Sequence, residues 1–87
     1  MTSVDAMKIR VLLFGLLAEA AGATEAILDL PPGSRVADLA PDLVARFDGL
    51  ARSLESVAYA VNTSYVVPGH VLSDGDEVAL IPPVSGG

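Results

Sequence analysis

Residues 73–87 read SDGDEVALIPPVSGG, and this stretch contains a turn, a strand and a tail in succession. Ser, Asp and Gly at 73–76 favour a tight reversal, because glycine accepts unusual backbone angles and the other side chains bond nearby backbone. Residues 77–81 (EVALI) are typical of a short, mostly apolar strand. Pro82 and Pro83 end that strand, since proline cannot donate a ladder hydrogen bond. We therefore expect the chain to leave its sheet after Ile81 as an extended tail.

Two stretches near the beginning of the chain alternate with the period of a β-strand. Residues 8–14 (KIRVLLF) and 24–30 (TEAILDL) each place apolar side chains on one face. Those side chains are Ile9, Val11 and Leu13 in the first stretch and Ala26, Leu28 and Leu30 in the second. A Leu/Ala/Glu-rich segment at 16–21, closed by Gly22, predicts a short helix between them. The two strands are expected to pair as a hairpin.

The main helix is predicted to follow Pro31-Pro32-Gly33. Its apolar stripe recurs at helical spacing: Val36, Leu39, Leu43, Phe47 and Leu50. Ser34 is the expected N-cap, and Asp48-Gly49 is expected to end and cap the helix. Pro41 deletes one helical hydrogen bond, so it either kinks the helix or restarts it.

The remaining strands complete a small α+β fold. Residues 57–61 and 65–67 predict two strands around a turn at 62–64. One main helix packed on one mixed sheet is a two-layer domain. The order matches the β-grasp arrangement of ubiquitin, although order alone also fits other small α+β folds. We expect a disordered extension at 1–6, a β-grasp domain at 7–81 and a flexible tail at 82–87.

Composition excludes several classes of function. The 87 residues suffice for one domain, and 52% hydrophobic against 18% charged residues favours a folded core. The absence of cysteine removes disulfides, thiolate metal sites and a cysteine nucleophile, and the single histidine, His70, has no second ligand at metal spacing. A net charge of −6 disfavours nucleic acid. With no membrane-length apolar run and no signal-like segment at 1–6, we expect a cytoplasmic protein.

The sheet face opposite the predicted core is also apolar. If Ile9, Val11 and Leu13 lie under the helix, alternation turns other apolar side chains outward. Those side chains are Leu12, Phe14, Ala79 and Ile81, with Tyr65 as a further candidate. An apolar patch on an open sheet is a candidate partner site. The alternative is that a loop or the N-terminal extension covers it.

The tail PPVSGG carries the candidate reactive group. Its prolines favour extended backbone, and six extended residues reach at most about 20 Å. Gly86 and Gly87 have no side chain to clash inside a narrow partner site. We expect the Gly87 carboxylate to be activated, for instance as an acyl-adenylate made from ATP by a partner, and converted by sulfide to a thiocarboxylate. Such a group carries sulfur without cysteine; the alternative is an unreactive tail that ends in glycine by chance.

The C-terminal residues resemble a known family. The run LSDGDEVALIPPVSGG at 72–87 is similar to the signature of the MoaD family, the small sulfur-carrier subunit of molybdopterin synthase. The strand at 8–14, the Val61-Asn62 turn and the Pro-Gly-Ser entry to the helix also match. The resemblance implies that an E1-like enzyme of the MoeB type adenylates Gly87 with ATP and that sulfur is then added. The tail would next enter a large subunit of the MoaE type, where two sulfur transfers to cyclic pyranopterin monophosphate build the molybdopterin dithiolene.

The resemblance also implies where the chemistry resides. Catalytic side chains would belong to the large subunit, and this chain would bind no cofactor or metal itself. Partner contacts would fall on the apolar positions and the tail, namely Phe14, Tyr65, Ile81, Pro82, Pro83, Val84 and Ser85. Tyr65 replaces an aliphatic residue expected by family pattern. The open alternatives are a thiocarboxylate carrier for cysteine or thiamine synthesis, and a ubiquitin-like binding module with an unreactive tail; the Pro-Pro-Val-Ser step disfavours thiamine.

Overall fold

The computed structural model describes residues 6–82, so residues 1–5 of the predicted extension at 1–6 and residues 83–87 of the predicted tail at 82–87 lie outside the described residues. The strands between these limits are β1 (Met7–Leu13), β2 (Glu25–Leu30), β3 (Ala58–Val61), β4 (Ser64–Val66) and β5 (Glu77–Ile81). The helices are α1 (Gly15–Ala21) and α2 (Leu39–Arg46), and 3₁₀ turns occupy Val36–Asp38, Asp48–Leu50 and Ser53–Ser56.

One mixed sheet contains all the described strands, in the order β2-β1-β5-β3-β4. The central pair β1 and β5 is parallel, with Val11 opposite Val78 and Leu13 opposite Leu80. The other pairs are antiparallel, including the predicted hairpin of β1 and β2. A parallel pair requires a long connection, and the chain between β1 and β5, which contains α1, β2, α2, β3 and β4, supplies it. This is the β-grasp arrangement, so the predicted fold is confirmed.

The core lies between the sheet and the helical layer. The predicted inward face of β1 is buried completely, since Ile9 and Val11 are 0% exposed and Leu13 is 2% exposed. Leu43 from α2 and Leu80 from β5 are also 0% exposed and belong to the same cluster. Burying one such side chain contributes about 1.5–3 kcal/mol to folding, so this shared cluster is what holds helix and sheet together.

The main helix begins differently from the prediction. Ser34 is not its N-cap: the Ser34 Oγ donates a hydrogen bond to the Pro31 carbonyl at 2.7 Å and so closes the preceding turn. The N-cap is Arg35, whose backbone N–H donates to the Asp38 carboxylate at 2.8 Å. A 3₁₀ turn follows, and α2 then restarts with Pro41 in its first turn, where a missing N–H costs no intrahelical bond.

The helix also ends earlier than the prediction. It stops at Arg46, because Phe47 adopts extended backbone with φ −130° and ψ 91°. Asp48–Leu50 then forms a separate 3₁₀ turn rather than a cap. The break does not expose the predicted stripe, since Leu50 remains 0% exposed and Phe47 packs partly buried against the core.

Gly49 has a packing role that differs from the predicted cap. A Cβ atom added at Gly49 would lie 2.6 Å from the carbonyl oxygen of Ala20, which is closer than real Cβ contacts allow. Ala20 belongs to α1, so the missing side chain lets α1 approach the Asp48–Leu50 turn. Gly49 therefore sets the position of the short helix that follows β1.

Candidate functional site

The C-terminal segment begins at the centre of the sheet. β5 lies between β1 and β3 and ends at Ile81, so the chain leaves beside the end of its parallel neighbour β1. Pro82 is half-buried there, and its Cγ lies 3.7 Å from the position of a Cβ added to Gly15. The predicted site residues Pro83, Val84, Ser85, Gly86 and Gly87 lie outside the described residues, so their roles stay predictions.

An apolar row crosses the open face of the sheet just before that exit. Leu12 lies opposite Ala79, Ala79 lies opposite Ala60, and Ala60 lies opposite Tyr65. Residues opposite one another share a face, and this face is the reverse of the one that carries Val11 and the core. Tyr65 is 73% exposed at the edge strand β4. The prediction that alternation turns these side chains away from the core is therefore confirmed.

Phe14 and Ile81 extend this row towards the exit of the chain. Phe14 follows β1 with extended backbone, φ −124° and ψ 155°, so alternation continues and places it on the face of Leu12. Its side chain is 48% exposed. Ile81 is the last residue of β5 and is partly exposed. We define the open-face patch as Leu12, Phe14, Tyr65, Ala79 and Ile81.

The open-face patch reaches solvent within the part of the chain that the structure describes. Leu12, Ala79 and Ile81 are of intermediate exposure, and Phe14 and Tyr65 are exposed. No loop between residues 6 and 82 buries them, and the N-terminal extension, which was the other cover considered, lies outside the described residues apart from Ala6. Exposed apolar area of this kind is typical of a surface that binds another protein.

Charged side chains border the open-face patch on its other side. Arg10 donates hydrogen bonds to Glu25 at 2.9 Å and to Glu77 at 3.2 Å. Lys8 pairs with Asp29 at 2.9 Å. The bond to Glu25 raises the pKa of Arg10, and the bond to Asp29 raises the pKa of Lys8, so both cations stay charged.

These ion pairs were not predicted from the sequence. Arg10, Glu25 and Glu77 occupy the outward positions of three strands, and that alternation was available as a signal. What the sequence does not show is that β1 lies between β2 and β5. The exposed pairs add little stability, but they mark a sharp polar limit to the open-face patch.

The acidic residues Asp74 and Asp76 build the turn that the sequence predicts before β5. The Asp74 carboxylate accepts the backbone N–H of Lys8 at 2.8 Å, and the Asp76 carboxylate accepts that of Ser73 at 2.8 Å. Asn62 also donates to Asp76, at 3.0 Å. Through these hydrogen bonds, the Asp74 and Asp76 carboxylates connect β1, the turn before β5 and the β3–β4 turn. This arrangement favours a structural role for both residues over a role as general acid or base.

Residues 6–82 contain neither a metal-binding cluster nor a membrane-spanning helix. In that range, His, Asp and Glu side chains form no cluster of three or more that could hold a metal ion. None of the helices described there is long and apolar enough to cross a membrane. His70 is partly exposed in the loop between β4 and β5.

The fold and the site together define a ubiquitin-like β-grasp protein whose C-terminal segment leaves the sheet beside an apolar face. The chain belongs to the ThiS family, whose model matches residues 11–87, and to the MoaD group of molybdopterin synthase sulfur carrier subunits within it. The sulfur carrier subunit of molybdopterin synthase from Chlamydomonas reinhardtii is 40% identical over 83 residues, which cover 93% of this chain and 100% of that protein.

Solved structures show the same fold. SAMP1 from Haloferax volcanii superposes with a TM-score of 0.82 and 31% identity, over 92% of this chain and 99% of that one. A chain in the complex of subunits 1 and 2 of molybdopterin-converting factor from Helicobacter pylori matches with a TM-score of 0.65 and 26% identity. That match covers 93% of this chain and 100% of the other.

Proposed function

We propose that this chain is the sulfur-carrying small subunit of a molybdopterin synthase. Its relatives bear that name, and one related fold is known in a complex of subunits 1 and 2 of molybdopterin-converting factor. The proposed reactive group is the carboxylate of Gly87, and Gly86 keeps the backbone beside it narrow. The family match extends to residue 87, which supports a role for these glycines.

The observation that carries this proposal is the position of the exit beside the open-face patch. β5 passes through the middle of the sheet, and Ile81 and Phe14 lie where the chain leaves it. A protein that binds the open-face patch therefore lies next to the root of residues 82–87. These six residues reach at most about 20 Å when extended, enough to enter a site within the bound protein.

The chemistry needs two steps at Gly87. First, a carboxylate oxygen attacks the α-phosphorus of ATP and pyrophosphate leaves, which gives an acyl-adenylate. Hydrosulfide then attacks the acyl carbon, the bond to AMP breaks, and a proton is released as the thiocarboxylate forms. An ordinary carboxylate resists attack by nucleophiles, so activation must come first.

The partners divide this work. An E1-like adenylating enzyme of the MoeB type would bind ATP, and a large subunit of the MoaE type would hold the pterin precursor and the catalytic side chains. This chain would bind no cofactor itself and would act in the cytoplasm. Its net charge of −6 favours encounter with basic partner surfaces.

Intact mass spectrometry tests the proposal. The protein is incubated with ATP, an activating enzyme and a sulfur source, and the expected product is heavier by the replacement of one oxygen with sulfur at Gly87. The matched control carries one alanine appended after Gly87, which displaces the carboxylate and should stay unmodified. An unchanged wild-type mass, under conditions that modify a known carrier, would refute the proposal.

A second candidate is a protein modifier. This candidate is favoured by the similarity to small archaeal modifier protein 1. The structure of that protein from Haloferax volcanii matches with 28% identity and a TM-score of 0.81. Chemically, the same acyl-adenylate can pass to a protein amine instead of hydrosulfide. Isopeptide-linked peptides ending in Gly86-Gly87 would indicate modification. The pathway is tested with a purified large subunit and the pterin precursor. Conversion of the precursor only when this chain carries the Gly87 thiocarboxylate would indicate molybdopterin synthesis rather than cysteine or thiamine synthesis.

A further inference from the structure

A groove of about 220 Å³ lies beside the root of the C-terminal segment. Leu16, Leu17 and Pro82 supply its apolar wall. The polar rim comes from Arg52, Ser53 and Ser56, on and just before the last 3₁₀ turn. Pro82, which leads into the tail, therefore forms part of the groove wall.

The size of the groove limits what it can accept. Pockets that enclose cofactors or drug-sized ligands usually occupy about 300–1,000 Å³, so this groove is too small for a nucleotide. It suits a single protruding side chain. The apolar wall can pack against methylene groups, while a guanidinium and two hydroxyls can bind a carboxylate at the tip.

The charge of the groove also favours a carboxylate. Among residues 6–82, Lys8 and Arg10 are paired with acidic side chains, whereas Arg35, Arg46 and Arg52 form no ion pair with another described residue; of these three arginines, Arg52 lines the groove. The chain as a whole has a net charge of −6. A carboxylate on a partner would be repelled by most of this surface and attracted at Arg52, which favours one docking orientation.

The groove and the open-face patch are formed by residues that are near neighbours in the sequence at two places beside the exit of the chain. Phe14 of the open-face patch directly precedes α1, and Leu16, 71% exposed, lies two residues later in the groove wall. Ile81 and Pro82 are neighbours in the same way. A protein that surrounds the root of residues 82–87 can therefore touch the open-face patch on one side and the groove on the other.

We propose that the groove receives an aspartate or glutamate side chain of the protein that accepts the C-terminal segment. This inference rests on the proposed function, because it needs a partner that surrounds the tail. The apolar contact supplies most of the binding, and the Arg52–carboxylate pair fixes the rotation of the domain about its tail. The domain is then held at two points on either side of the exit.

Charge reversal tests the pair by calorimetric titration with the purified large subunit from the same organism. Arg52→Glu is expected to weaken binding by at least about tenfold, since a desolvated charge pair becomes a repulsion. Arg46→Glu is the matched control: it makes the same charge change at an exposed arginine outside the groove and should alter binding by less than about twofold. Ser56→Glu places a carboxylate on the groove rim itself and should weaken binding as Arg52→Glu does.

Carbodiimide cross-linking identifies the partner group directly. Lys8 is the only lysine of the chain, so a Lys8→Arg background removes competing side-chain amines. In that background, Arg52→Lys should cross-link to one aspartate or glutamate of the large subunit, whereas Arg46→Lys should not. Mass spectrometry of the linked peptides locates the carboxylate.

The outcomes separate this inference from the proposed function. If wild-type protein binds the large subunit but Arg52→Glu and Arg46→Glu bind equally well, the groove inference is wrong and the sulfur-carrier proposal stands. If the Arg52→Lys variant cross-links no more than its control, the inference is also wrong. If wild-type protein neither binds the large subunit nor gains sulfur at Gly87, both proposals fail.

Discussion

Truncation of Phe14 to alanine measures the contribution of the open-face patch to partner binding. Phe14 is 48% exposed, and a phenylalanine side chain can bury about 200 Å², so about 100 Å² is available to a partner. At about 25 cal/mol per Å², covering this area contributes about 2.5 kcal/mol. Allowing for the retained Cβ, Phe14→Ala should cost about 2 kcal/mol, or about 30-fold in Kd for the large subunit.

The stability cost of the same change must be measured beside it. The other half of the ring packs on the domain, so the free energy of unfolding should also fall, by about 2 kcal/mol or less. The start of α1 should survive, because the Phe14 backbone carbonyl, rather than its ring, accepts the N–H of Leu17 at 3.0 Å. Calorimetric titration below the unfolding transition therefore reports on binding alone.

Ile27 provides the matched control for this experiment. It is 45% exposed and lies opposite Arg10 on the open face, beyond the charged border. Ile27→Ala removes a comparable half-exposed apolar side chain and should change Kd by less than about twofold. If Phe14→Ala binds as tightly as Ile27→Ala, the open-face patch is not the binding surface and the reasoning from alternation is refuted.

Three further predictions concern the fold. Gly49→Ala should lower the free energy of unfolding by about 1–3 kcal/mol through its clash with Ala20, while Gly69→Ala, which meets nothing within 4 Å, should be nearly neutral in thermal unfolding. Burial raises the pKa of Tyr59 above its ordinary value of 10.0. The stability contributed by the neutral phenol is therefore complete below pH 10.0 and is lost as the pH rises through the raised pKa. Tyr59→Phe should reduce this alkaline decrease in Tm. Asn62 has φ +48°, and its side chain forms hydrogen bonds with Asp76 and Glu77 in and after the turn before β5. Asn62→Ala should lower the free energy of unfolding, measured in urea, by about 1–3 kcal/mol. Asn62→Gly also loses the hydrogen bonds but accepts the positive φ, so it should lower the free energy of unfolding by less.

The strands were predictable because their signal is local. Alternation over a few residues decides which side chains share a face, so the buried positions of β1 and β2 followed from the sequence. The predicted limits of β5 agree with the structure, since a Ser-Asp-Gly-Asp turn and Pro82 mark its two ends. The turn at Asn62 and Thr63 was also predicted, and both residues have positive φ, at 48° and 74°.

The shape of the main helix was not predictable, because distant residues decide it. The backbone N–H groups of Val36 and Ala37 donate to carbonyls of His70 and Pro68, each at 2.9 Å. These bonds satisfy the donors of the first turn from a loop more than thirty residues away in the sequence, so no cap at Ser34 is needed. Helical periodicity identified the buried stripe correctly but not the breaks within it.

The sequence by itself determined the strand faces, the turns, the apolar character of the open face and the family signature that ends in Gly86-Gly87. Each of these depends on neighbours a few residues apart. Only the tertiary structure decided that β5 lies between β1 and β3, that α1 packs closely against Gly49, and that Arg52 and Pro82 line the same groove. Such features arise when segments distant in the chain pack together, and the side-chain pattern of each segment alone does not specify its neighbour.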